Sequence, residues 1–224
     1  MPDAGKVKGR NGSVGNKDFE IGDFQIHEGE RLIAEPEAIQ IFNFAMTKLT
    51  VLLDYAGAGI DQKDGSANLV RSTISQLAIV ALASALEVYG KKRLVELERS
   101  GKIADWSELL RKTDLTSDEL HRRAKANSRT PLEELIEERR VNLLDLDEFG
   151  RLFERGCGIR VSDIPRKEVY RLLALRKEII HGGLRSATLY CDDGIPVFAT
   201  PSKAKELANL VEGFVRTVHE RSVC

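Results

Sequence analysis

Cysteine is scarce: Cys157, Cys191 and Cys224 are the only three in 224 residues, and no CxxC or Cys-His spacing joins them. An odd, scattered set argues against a disulfide framework or a thiolate metal knot and fits reduced thiols in a cytoplasmic protein. Charge of one sign is missing as well. Thirty-four basic side chains against 35 acidic ones leave a formal charge of -1, so any polyanion-binding surface must be a local patch. Long apolar runs are absent. The most apolar window, Ile74 to Tyr89, is interrupted by Gln76, Ser84 and Glu87, and falls short of the roughly 18 residues a membrane span needs. The N-terminus, MPDAGKVKGRNGSVGNK, has no apolar core and is not expected to be a secretory signal. No P-loop, GxGxxG, HExxH or GxSxG occurs, which disfavours nucleotide hydrolysis, dinucleotide binding and the common hydrolase elbows.

What is present is helical periodicity. Residues 1–30 are expected to form a disordered or extended arm, with Phe19, Ile21, Phe24 and Ile26 alternating around Gly22. Residues 31–224 are expected to form a single helical domain. A first helix is predicted from Glu37 to Tyr55, with Ile41, Phe44, Ala45, Leu49, Leu52 and Leu53 as its apolar face. A long one follows from the Ser66 cap to Gly101, with Gly90 as a possible kink site. Residues 102–155 read as a charged insert of short helices, near 105–112, after Thr116, after Pro131, and from Asn142 to Phe153. A helix over Lys167–His181 closes at Gly182-Gly183. SATLY and IPVFAT around CDDG then suggest a small β-hairpin, and a last amphipathic helix spans Ser202–Glu220. Its expected apolar face holds Leu207, Leu210, Val211, Phe214, Val215 and Val218.

The helix over 167–181 carries the chemistry. With Val169 at 0° and about 100° per residue, Leu172, Leu173, Leu175, Ile179 and Ile180 form one stripe. Arg176 falls in its middle, whereas Lys167, Arg171, Lys177 and Glu178 lie on the other side. A guanidinium aimed at a core requires an acid, a phosphate or a wet cleft to receive it. Two arrangements satisfy that demand: a buried ion pair, for which Glu87 is a partner, or an anion site between helices. His181 lies about 140° further round an undistorted helix, so the two side chains do not share a face there. They converge only if the helix ends at His181 or if a second copy completes the site. Equally, a histidine beside a glycine pair is an ordinary helix-end residue.

The run RKEIIHGG, Arg176 to Gly183, resembles the Arg-x4-6-His signature near a helix end in HEPN domains. QLAIVALASALEVYGKKRLVELE, earlier in the chain, resembles the long HEPN helix. The resemblance covers 66–99 and 167–221, and the layout is similar to RiboL-PSP-type HEPN proteins. It implies an all-α, HEPN-like antiparallel bundle working as a homodimer, and metal-independent endoribonuclease activity without a cofactor. It also implies a bacterial toxin or phage-defence setting, with an antitoxin or defence partner. Arg176 and His181 would be the catalytic pair, supported by Lys177, Glu178 and Glu87. The alternative within the same family is a non-catalytic dimer that binds RNA or nucleotide, or acts as a scaffold. The sequence departs from the family pattern at Lys177, where Asn, Asp or His is common. It departs again at Gly183, where toxins paired with nucleotidyltransferase antitoxins carry a tyrosine, so control through that tyrosine is not expected.

Two further patterns were weighed. Arg122, Arg123, Lys125 and Arg129 form a basic run suited to RNA phosphates, but without interleaved aromatics it equally describes a solvated helix face. Glu178-x-x-His181 and Asp118-x-x-His121 match the spacing of di-iron bundles. No metal site is expected, because the second copy carries Asp and tripeptide spacings arise easily by chance.

Overall fold

A computed structural model describes residues 37–58, 65–103, 107–111, 113–138, 142–161, 163–182, 188–190, 196–198 and 200–223. The expected arm over 1–30, the 59–64 loop, Gly183 and the CDDG turn lie outside them. The described residues are mostly helical, of the all-α class, and Glu35–Cys224 forms one compact unit.

The first helix, α1 (Ala38–Gly57), starts from a capping box in which Glu37 and Gln40 each bond the other's backbone. Its Ala38 N–H also donates to the Glu96 carboxylate. The long helix α2 (Gly65–Arg99) runs unbroken through Gly90. Gly90 marks a close approach rather than a break, since a Cβ there would lie 2.8 Å from side-chain atoms of both Leu143 and Phe149. Gly101, at φ +71°, ends the helix in the left-handed region that glycine tolerates best.

Short helices follow: α3 (Ser107–Leu110), α4 (Ser117–Ala126), α5 (Pro131–Glu137) and α6 (Leu146–Cys157). Thr116 caps α4 by accepting from the Glu119 N–H at 3.2 Å, and Thr130 caps α5 in a box with Glu133. The helix expected from Asn142 begins instead at Leu146. Asp145 takes the N-cap and accepts from the Asp147 and Glu148 N–H groups, which leaves 142–145 as a turn. Next come α7 (Lys167–Gly182) and α8 (Pro201–Val223). Between them the three-residue strands β1 (Thr188–Tyr190) and β2 (Pro196–Phe198) pair antiparallel, Thr188 opposite Phe198.

The core lies among α1, α2, α7 and α8, with α5 and α6 against α2. Side-chain ties fix the directions. Ala38 meets Glu96 and Ala56 meets Arg71, so α1 is antiparallel to α2. Asp54, near the end of α1, pairs with Lys205, near the start of α8. Two expected faces need correction. On α1 the buried stripe is Ala38, Phe42, Met46, Leu49, Leu53 and Ala56, while Phe44 and Leu52 are exposed. On α8 Leu210 is exposed, and Ala204, Ala208 and Ser222 are buried instead. Both helices carry more apolar residues than one face can hold, so periodicity alone leaves the orientation open. Leu69–Arg99 is long and apolar enough to cross a membrane, yet half of its most apolar window is buried inside the bundle.

Candidate functional site

Helix α7 buries Val169, Leu172, Leu175 and Ile179 against the bundle. Arg176 lies on this stripe, between Leu172 and Ile179, and is half-buried. Its Nε is fully buried and has no hydrogen-bond partner among the described residues. An unpartnered buried donor costs about 1–3 kcal/mol, so such a group persists only where something else in the structure or its function compensates. Ile180, expected on the apolar stripe, is instead 50% exposed.

Arg176 lines a pocket of about 280 Å³ together with Leu144, Leu173, Lys177, Ile180 and His181. Five of these belong to α7, at the i, i+3, i+4, i+7, i+8 spacing of one broad helix face. Arg176 and His181 stand at opposite edges of that face, which is how one pocket holds both although they diverge by about 140° on the wheel. Helix α7 continues through His181 to Gly182, so no helix end is needed to bring them together. Lys177, assigned to the far side by the wheel, lies between the two edges and adds a second cation. His181 is exposed, so a ligand in the pocket can reach it.

The remaining predicted residues lie elsewhere. Glu87 does not receive Arg176: its carboxylate pairs with Lys91 at 2.6 Å, one turn along α2. Glu178 is exposed and does not line the pocket. In the basic run, Arg123 is held by Glu119 and Glu138, each at 2.9 Å. Arg129 faces Glu134 at 3.5 Å and Glu137 at 3.8 Å, and lines a different groove, between α2 and α5. Arg122 and Lys125 are exposed on α4. Among the described residues no group of three or more His, Cys, Asp or Glu side chains is arranged to hold a metal ion.

Leu144 is the member of the pocket that the sequence did not announce. It comes from the 142–145 turn, which is held in place because its neighbour Leu143 is buried beside Gly90. No spacing links it to α7. The only local signal is the Asp145 cap, which places an apolar pair just outside a helix start.

Chemically the pocket offers two cations, an imidazole and an apolar wall. Arg176 and Lys177 suit an anion with several oxygens, Arg176 through its planar fork and Lys177 as a point charge. Leu144, Leu173 and Ile180 provide a dry flank for a ring or a methylene chain. Compared with protein-family models, with curated proteins and with solved structures, the chain matches none.

Proposed function

We propose that the protein is an endoribonuclease of HEPN type, an all-α bundle in which Arg176 and His181 act on a phosphodiester held in the α7 pocket. The observation that carries the reading is that Arg176, set on the buried side of α7, lines one pocket with Lys177 and His181. A phosphate held in that pocket would place an anion beside the Arg176 guanidinium.

On this reading His181 takes the proton from a ribose 2′-hydroxyl as that oxygen attacks the adjacent phosphorus. Arg176, with Lys177 beside it, holds the phosphate and stabilises the charge that develops on its oxygens. The bond to the 5′-oxygen of the next nucleotide breaks, and that oxygen takes the proton back from His181, leaving a 2′,3′-cyclic phosphate and a 5′-hydroxyl. None of these steps calls on a metal ion. The working unit is a homodimer, its substrate is RNA, and its setting is a cytoplasmic toxin or phage-defence system.

Incubating the purified full chain with total RNA in EDTA tests the reading. The parent protein should cleave, and His181→Ala should be slower by about 100-fold or more, the scale of a lost general acid–base group. Equal degradation by both proteins would assign the activity to a contaminant. A parent that binds RNA tightly but leaves it whole would favour the non-catalytic form of the same fold.

A further inference from the structure

Helix α2 carries no charged side chain from residue 72 to residue 86, although only part of its circumference is covered. Its core side is formed by Ser75, Ile79, Leu82, Leu86 and Tyr89. Diametrically opposite, at the alternating 4- and 3-residue spacing of a coiled-coil seam, stand Leu77, Ala81, Ser84 and Val88. Leu77 is 51% exposed, Val88 is 44% exposed, and Val70 one heptad earlier is 49% exposed. Ala81 and Ser84 are exposed as well. The Ser84 hydroxyl is turned back onto the Val80 carbonyl at 3.0 Å, which leaves only a small, satisfied group on the surface. A helix that is apolar on all sides normally has all its sides covered.

The stripe is also palindromic. About a point between Leu82 and Ala83, Ala81 mirrors Ser84, Leu77 mirrors Val88, and Val70 mirrors Val95. A surface with that property is its own complement under a two-fold axis. The mirror position of Val70 coincides with a real recess. A groove of about 260 Å³ opens between α2 and α5, with Val88, Val95 and Ile136 among its lining residues. The small pair Ala81 and Ser84 sits at the would-be crossing, where two helix backbones must approach to about 8 Å.

We infer that two copies of this chain associate by packing α2 against α2, antiparallel, crossing at Ala81 and Ser84, with Val70 of each copy entering the α2–α5 groove of the other. The seam runs about 37 Å along the helix. A lipid surface fits the same face less well. The basic groups flanking the seam are already engaged, Arg71 by the Ala56 and Gly57 carbonyls and Lys91 by Glu87, whereas a membrane-lying helix keeps its cations for the headgroups. The nuclease reading calls for two copies but names no surface. This inference uses no residue of the α7 pocket, so the two are tested by separate readouts.

Sedimentation of the full chain at micromolar concentration should give twice the chain mass. Leu77→Glu and Ser84→Glu should each reduce it to the single chain with unchanged helicity by circular dichroism, both positions being on the surface. The direction has its own test. Leu77→Cys copies mixed with Val88→Cys copies should join through a short thiol cross-linker well above the level of the parent chain, and neither variant should do so alone, because like positions are offset by about 16 Å along the seam. A monomeric parent, a dimer that survives both glutamates, or cross-linking between like copies would overturn the proposal. So would a parent that sediments with anionic vesicles and is otherwise monomeric.

Discussion

Arg176 is where stability and function pull apart. Its aliphatic stem belongs to the buried stripe of α7, but its Nε finds no acceptor. Arg176→Met keeps much of the apolar volume and removes the orphaned donor, so it should raise the unfolding free energy by about 1 kcal/mol, read from urea midpoints. The same variant should lose RNA cleavage. A loss of stability instead would mean that the guanidinium is satisfied in solution and is a structural group. That Arg176 faces inward was legible from the helical period. That one atom of it is left without a partner was not, because the burial of a single nitrogen depends on neighbours brought from Leu144 and the rest of the bundle.

At the scale of the element, local chemistry set the ends of the helices and tertiary contact set their faces. Thr116 with Glu119, Pro131 at the start of α5, and Gly101 after Arg99 could be read directly, since each signal acts within one turn. The α6 start was misplaced because Asn142 and Asp145 are both good caps, and only packing of the Leu143–Leu144 turn decides between them. Gly90 could be read as a kink; its function is instead to let α6 lie close. Gly90→Ala should therefore destabilise the protein by about 1–3 kcal/mol despite alanine's better helix propensity, because the added methyl must displace Leu143 and Phe149. Thermal unfolding followed at 222 nm measures this. An Ala variant as stable as the parent would show that the α2–α6 contact is loose.

For the whole molecule, acid sensitivity has an identifiable contributor in His219 on α8. Burial, and then the nearby Arg93 guanidinium, lower its pKa below the ordinary 6.5, against weaker opposing effects of Glu96, Glu37 and Glu220. Its Nδ1 is buried without a partner, and its ring lies 6.3 Å from that of Tyr89. A lowered histidine pKa means that the unfolded chain takes up a proton which the folded chain resists. Stability from this group is therefore full above about pH 6.5 and is lost as the pH falls towards the folded value. His219→Gln should narrow the difference between urea midpoints at pH 7 and pH 5. An unchanged difference would place the acid sensitivity elsewhere.

By itself the sequence determined the helical class, the order of the long helices, most of their caps, and the inward setting of Arg176, because these follow from periodicity and from chemistry within a turn. Only the tertiary structure decided which of two apolar stripes on α1 and α2 is covered. It also set Leu144 against the α7 face that carries Arg176, Lys177 and His181. Those outcomes depend on contacts between residues far apart in the chain, where helical spacing carries no information.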